Sequence, residues 1–144
     1  FTGPMHPVMG FTTLATGDVS QGGYKWIEDV DWELVNLAPD NPVTSRGVEW
    51  PARVEYRGAA RPAATVKHSE VYLNHQLTGE RTVLLGLKFR DPVTGTLYEQ
   101  DTAGWYRRAG KGWVVYFMAG HSVAEFHNPV CARILVNAIT GELR

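Results

Sequence analysis

Short segments of alternating apolar and polar residues recur along the chain, and this period of two predicts a fold made mainly of β-strands. The firmest prediction is a strand over residues 81–89. Its apolar side chains fall on one face, at Val83, Leu85, Leu87 and Phe89. The segment Asp91-Pro92-Val93-Thr94-Gly95 carries turn chemistry, and residues 97–106 return as a partner strand. We therefore expect an antiparallel hairpin here.

Weaker patterns predict the elements of the first half of the chain. Residues 1–23 are rich in Gly, Pro, Thr and Met, which predicts a loop with a short strand near residues 11–15. Strands are predicted over residues 32–37 and 52–56, and a loop is predicted over residues 57–62. Between the two strands, Thr44 or Ser45 would cap a single helical turn that ends at Gly47.

The apolar run from Trp113 to Ala119 does not alternate, and such a run predicts a strand that is covered on both faces. It follows the turn Ala109-Gly110-Lys111-Gly112, where glycine accepts the positive φ of a tight reversal. The run stops at Gly120, and His121 comes next. Because ligands collect where buried strands end in open α/β sheets, His121 is the first candidate for chemistry.

The C-terminal segment carries the one clear helical period. Asn128 suits the N-cap, Pro129 the first helical position and Gly141 the residue after the last turn. Apolar residues recur at helical spacing and predict one buried face, formed by Val130, Ile134, Leu135, Ala138 and Ile139. The single cysteine, Cys131, excludes an internal disulfide, and its place in this helix predicts a buried, inert thiol.

Residues 66–74 form a second candidate for chemistry. As a regular strand, they place Val66, His68, Glu70, Tyr72 and Asn74 on one face, because side chains alternate. A face that bears histidine, glutamate, tyrosine and asparagine suggests a functional surface. The alternative, which has equal weight, is a polar row that faces solvent on an edge strand.

The composition excludes some classes of function but does not identify one. The 144 residues suffice for one domain, and a formal net charge of −1 argues against broad binding to nucleic acid or an anionic membrane. The one basic cluster, Arg107, Arg108 and Lys111, flanks a turn, which favours a solvated surface. No apolar run approaches the ~20 residues of a membrane span. The compartment stays open, with the cytoplasm slightly favoured over secretion.

Several of these segments, taken together, resemble the trehalose-utilisation (ThuA-like) family. The matching segments are Ser69-Glu70-Val71-Tyr72, Trp105, Ala109-Gly110-Lys111-Gly112-Trp113, Gly120-His121, Asn128-Pro129 and Asn41-Pro42-Val43-Thr44-Ser45-Arg46-Gly47. The resemblance covers about residues 30 to 140. It implies an α/β fold with a flavodoxin-like sheet, related to class I glutamine amidotransferases, which here is β-rich with antiparallel hairpins and one C-terminal helix.

The sequence departs from the family pattern in three places. Ser69 replaces the acidic residue before Glu70, and Asn41 stands where the family tends to have histidine. The N-terminal βαβ half of the family has no counterpart, so we expect a single ThuA-like domain that is a fragment or a divergent member. A sheet that lacks those strands would leave an edge and a face uncovered, and a second copy or a partner chain would then complete it.

The resemblance implies an activity on a sugar or keto-sugar derivative in carbohydrate metabolism. Glu70 and His121 would form an acid/base pair, since an imidazole titrates at ~6.5. The other implied substrate-binding residues are Tyr72 and Trp105 as aromatic walls, with His68 and Asn74. Hydrolase, lyase and isomerase chemistry all stay open. Glutamine hydrolysis is excluded, because Cys131 lies within a helix and not at a strand-to-helix turn.

Three alternatives stand beside this prediction. The second hypothesis is a non-catalytic carbohydrate-binding or assembly module on the same scaffold. In the structural interpretation, His121 bonds to backbone and Glu70 is only its partner. No cofactor is predicted, although a divalent metal on His68, Glu70, His121 and His127 is a weaker alternative.

Overall fold

A six-stranded antiparallel sheet and a C-terminal helix form the fold in the computed structural model, which describes residues 11–12 and 25–141. The strands are β1 (Phe11–Thr12), β2 (Lys25–Asn36), β3 (Ala52–Tyr56), β4 (Ala59–Leu73), β5 (Gln76–Leu77), β6 (Thr82–Arg90), β7 (Leu97–Ala109) and β8 (Gly112–Phe117). The sheet order is β3-β4-β2-β6-β7-β8, and β1 pairs with β5 separately. The predicted β-rich sheet with antiparallel hairpins is confirmed.

The predicted strands over residues 52–56 and 81–89 and the hairpin that follows are confirmed by β3, β6 and β7. The predicted loop over residues 57–62 is wrong, because β4 begins at Ala59. Only Arg57 and Gly58 separate β3 from β4, and both have positive φ, 49° and 77°. A two-residue hairpin turn needs that backbone. The turn has Arg57-Gly58 in place of the usual Asn-Gly or Asp-Gly, so the sequence pattern does not predict it. Most of the predicted loop over residues 1–23 lies outside the described residues.

Two asparagines start the α-helices, α1 (Pro42–Ser45) and α2 (Pro129–Thr140). The Asn128 side chain accepts a hydrogen bond from the backbone N–H of Val130, as predicted. The cap of α1 is Asn41, whose Oδ1 accepts from Val43 at 2.9 Å, so the predicted caps Thr44 and Ser45 are wrong. A 3₁₀ helix, Val123–His127, comes just before α2.

The main core joins one face of the sheet to α2. It includes buried Trp32, Leu34 and Leu87 from the sheet and Val130 and Ile134 from the helix. Asn137, on the same helix, donates to the backbone oxygens of Val43 at 3.1 Å and Arg46 at 2.9 Å, which ties α2 to α1. The predicted burial of Ile139 is wrong, since it is 74% exposed. The buried stripe follows Asn137 instead, because that amide satisfies the carbonyls at the end of α1.

The other face carries a small cluster of Val35, Tyr56 and Ala63 beneath polar side chains. The Tyr56 hydroxyl donates to Asp101 at 2.6 Å, and Arg57 pairs with the same carboxylate at 2.7 Å. Burial, reinforced by Asp101, raises the pKa of Tyr56 well above its ordinary value. This face is therefore held by a hydrogen-bonded network more than by apolar packing.

Strand β8 lies at one edge of the sheet. The prediction that the run from Trp113 to Ala119 is covered on both faces is wrong, because no residue within Gly112–Phe117 is fully buried and Val115 is 38% exposed. A single run of aromatic and β-branched residues suits an edge strand as well as a central one. Within residues 25–141, no helix is long and apolar enough to cross a membrane.

Candidate functional site

Glu70 and His121 are in contact, although they come from distant parts of the chain. His121 Nδ1 lies 2.8 Å from Glu70 Oε2. Strand β4 supplies Glu70, and the loop after β8 supplies His121. The glutamate side chain is 10% exposed, whereas the imidazole is 43% exposed. The carboxylate is thus held inside the protein while the ring reaches the surface.

Tyr72 completes this contact. It lies two residues after Glu70 on β4, and side chains at that spacing share a face. Its hydroxyl donates to Glu70 Oε2, the same oxygen that His121 approaches. Two donors on one buried carboxylate oxygen stabilise its charge. A proton on Nδ1 that is donated to this oxygen leaves Nε2 as the ring nitrogen with a lone pair.

Glu125 holds the loop that carries His121. Its carboxylate accepts from the backbone N–H of Gly120 at 2.7 Å and of Ser122 at 3.2 Å, the two neighbours of His121. Glu125 is 3% exposed. Gly120 has a φ of 146°, which an L side chain rarely adopts. Glu125 is not among the predicted site residues, although the spacing Ser122-x-x-Glu125 is the capping-box signature that marks it in the sequence.

His68 does not join the site. It has a φ of 47°, and the pairing of β2 with β4 shifts register on both sides of Val30. Its Nδ1 lies 3.1 Å from Asp29 Oδ1, with both side chains more than 80% exposed, at 84% and 82%. The predicted alternation from Val66 to Asn74 is therefore wrong at His68, because a bulge inserts a residue and turns the following side chains over.

Asn74, the residue after β4, is hydrogen-bonded to Gln100 on β7, a strand that is not beside β4 in the sheet. Its backbone N–H donates to Gln100 Oε1 at 2.8 Å, and Gln100 Nε2 donates to Asn74 Oδ1 at 2.6 Å. Asn74 also has a positive φ of 60°, which asparagine tolerates better than most residues. These contacts tie the end of β4 to β7.

A row of rings extends from Tyr72 toward β7. Tyr72 stacks on His75 with centroids 5.9 Å apart, His75 meets the edge of Tyr116 at 6.3 Å, and Tyr116 stacks on Trp105 at 5.4 Å. Trp105 has no exposed surface, so it supports Tyr116 from behind and does not form a wall of an open site. Burial lowers the pKa of His75 to about 4. His75 lies between β4 and β5.

The described residues do not assemble a metal centre. Across residues 25–141, no three histidine, cysteine or acidic side chains lie close enough together to hold an ion. His127 is exposed in the 3₁₀ helix, and His68 is held at Asp29. Cys131 is fully buried, and burial, with the charge of Glu125, raises its thiol pKa to about 12. The predicted buried thiol is confirmed.

The site is therefore a surface imidazole oriented by a buried carboxylate, with a tyrosine hydroxyl on that carboxylate and a loop clamped by a second acid. Comparisons with protein-family models, with curated proteins and with solved structures found no match.

Proposed function

We propose that this chain is a ThuA-like domain that acts on a sugar or keto-sugar derivative through proton transfer at His121. The observation that carries the proposal is the 2.8 Å contact between His121 Nδ1 and the buried Glu70 carboxylate. On this proposal, the domain is a divergent relative of the flavodoxin-like scaffold of class I glutamine amidotransferases, and its described strands pair antiparallel where that scaffold is parallel. The order of the Glu70, Gly120-His121 and Asn128-Pro129 segments supports the assignment.

The proposed proton transfer depends on the His121 tautomer that carries its proton on Nδ1. Nε2 of His121 accepts a proton from a sugar hydroxyl or from a carbon next to the carbonyl of a keto-sugar. The imidazolium that forms is stabilised by Glu70 through Nδ1–H, and the Tyr72 hydroxyl donates to the same carboxylate oxygen. The proton then returns to another atom of the substrate or to a leaving oxygen. Isomerisation and elimination both use such a cycle.

The surroundings suit a polar ring. Tyr72 is only partly buried, so part of its ring stays available for stacking, although His75 stacks on it at 5.9 Å. A sugar that stacks on this part of the ring would present hydroxyls to His121 at the same time. Trp105 takes no direct part, since it is covered by Tyr116.

Substitution of His121 tests the proposal. We expect His121→Ala and His121→Gln to lower kcat/KM for a keto-disaccharide at least ~100-fold, the smaller end of what general acid–base catalysis contributes. His68→Ala is the matched control, because His68 is exposed and lies outside the site. Turnover that survives loss of His121, or that falls equally in the control, would remove His121 from the mechanism.

A non-catalytic carbohydrate-binding module is the second candidate. Ser69, where the family has an acidic residue, is buried and its hydroxyl donates to the Glu70 carbonyl at 3.3 Å. No carboxylate stands at that position to serve as a second acid or base. Keto-sugar binding in deuterated water separates the two candidates. An enzyme that takes the proton from carbon exchanges a substrate C–H for deuterium, and one that takes it from a hydroxyl releases product, whereas a module binds saturably and does neither.

A further inference from the structure

A second cleft lies where β6 starts and β7 ends. Its volume is about 720 Å³, and it opens between side chains that include Arg81, Arg107, Arg108 and Trp113. Its lining contains none of the residues of the His121 site. Small-molecule sites typically measure about 300–1,000 Å³, so this cleft has the size of a ligand pocket.

Arg81 is the least satisfied cation of the cleft. Its Nε is buried and has no hydrogen-bond partner among residues 25–141. A buried N–H of a charged group is costly to leave unpaired. Burial, together with the positive charge of Arg107, lowers the pKa of Arg81. Asp101 offsets this effect only in part, and its carboxylate is already paired with Arg57 at 2.7 Å.

The other two arginines come from consecutive positions at the end of β7. Arg107 donates to the backbone oxygen of Thr78 at 3.1 Å, which fixes one edge of its guanidinium. Arg108 lies over the Trp113 ring at 5.0 Å. Within the described part of the chain, none of the three arginines forms a salt bridge. Glu80 also lines the cleft and forms no salt bridge with a described residue.

We propose that this cleft binds the phosphoryl group of a small molecule, with Arg81, Arg107 and Arg108 as the recognising cations. Guanidinium groups match phosphate oxygens in a two-pronged geometry, and three arginines line this cleft without forming a salt bridge to any described residue. The Trp113 ring closes one side and suits the body of a phosphorylated ligand. A net charge of −1 over the whole chain does not suit a nucleic-acid backbone, which needs an extended basic surface.

The sequence analysis interpreted Arg107, Arg108 and Lys111 as a solvated turn. The structure does place a turn after Ala109, and Lys111 is exposed outside the cleft. What the sequence could not show is that Arg81 joins Arg107 and Arg108 from another strand. The inference is independent of the function proposed for His121.

The test is a titration at constant ionic strength in which inorganic phosphate or glucose 6-phosphate replaces chloride, and glucose is added to the chloride buffer as the uncharged control. The signals to follow are the Trp113 indole and arginine Nε–H groups in NMR spectra. We expect both phosphates to give saturable shifts and glucose to give none. Tighter binding of glucose 6-phosphate would indicate a phosphorylated metabolite, and equal binding would indicate free phosphate.

Variants connect the binding to the cleft. Arg81→Met and Arg107→Met should each weaken phosphate binding at least tenfold, and Arg81→Lys should give a smaller loss because it keeps the charge without the fork. Arg46→Met, an exposed arginine at the end of α1, should bind as the unaltered protein does. The proposal is overturned by shifts that do not saturate, by equal binding of glucose, or by folded Arg81 and Arg107 variants with unchanged affinity.

Discussion

Replacement of Glu125 should loosen the His121 loop more than any other single change outside the contact itself. The carboxylate is 3% exposed and accepts from two backbone N–H groups, at 2.7 and 3.2 Å. A hydrogen bond to a charged group contributes about 1.5–3 kcal/mol. Because both N–H groups lie near the surface and can bind water when the carboxylate is lost, each hydrogen bond should contribute about 1.5 kcal/mol, the lower limit of this range. Glu125→Ala should therefore lower the free energy of unfolding by about 3 kcal/mol.

Glu125→Gln keeps one carbonyl acceptor, and we expect about half of that loss. Urea denaturation measures both values, with a lower midpoint and an unchanged slope. For a chain of this size the alanine variant should also melt about 6–12 °C lower. Glu49→Ala, an exposed acid outside the site, is the matched control and should change stability by less than about 0.5 kcal/mol.

The same variants report on the site. If Glu125 clamps the loop, Glu125→Ala should also broaden or shift the imidazole signals of His121 and leave those of His68 unchanged. A loss below about 0.5 kcal/mol, the ordinary range for surface substitutions, together with unaltered His121 signals would refute the clamp.

Two further predictions concern Gly120 and His75. Gly120→Ala should lower the free energy of unfolding by about 1–3 kcal/mol, because φ is 146° and the new Cβ would lie 3.3 Å from Phe126. Gly112→Ala is the control, since Gly112 has no positive φ, and it should lose less than half as much in the same urea assay. The pKa of His75 is lowered to about 4, so between about pH 6.5 and 4 only the unfolded chain binds its proton. The contribution of neutral His75 to the free energy of unfolding is therefore complete above about pH 6.5. It falls by about 3 kcal/mol as the pH is lowered toward 4. Urea midpoints across that range should lose this dependence in His75→Phe, and an unchanged pH profile in that variant would contradict the assignment.

Much of the fold was readable from local patterns. The Asp91–Gly95 turn has strong local chemistry, and the hairpin of β6 and β7 around it is confirmed. Asn128 followed by Pro129 likewise marks the start of α2. The turn and the helix start depend on residues that are adjacent in sequence, so the local preferences of those residues predict them.

What the patterns missed depends on partners distant in sequence. The bulge at His68 arises where β4 pairs with β2, near Asp29 and Asp31, and Asp31 accepts from the His68 backbone N–H at 2.9 Å. Alternation cannot show such a change of face. The edge position of β8 is likewise set by which strand lies beside it.

The candidate site was predicted only in part. The end of an apolar run led to His121 and the polar face of residues 66–74 led to Glu70, the family resemblance joined them as a pair, and the structure places them in contact. Their roles in chemistry stay predictions. Trp105 was expected to form a wall, but the stacking of Tyr116 covers it, which depends on the pairing of β7 with β8.

The tautomer of His121 tests the central claim most directly. In long-range ¹H–¹⁵N NMR spectra of the neutral ring, the proton should lie on Nδ1, where Glu70 Oε2 receives it at 2.8 Å. Glu70→Ala should move the proton to Nε2, and the His127 signals in the same spectra should not change. A His121 ring that carries its proton on Nε2 in the unaltered protein, or that ignores loss of Glu70, would contradict the account.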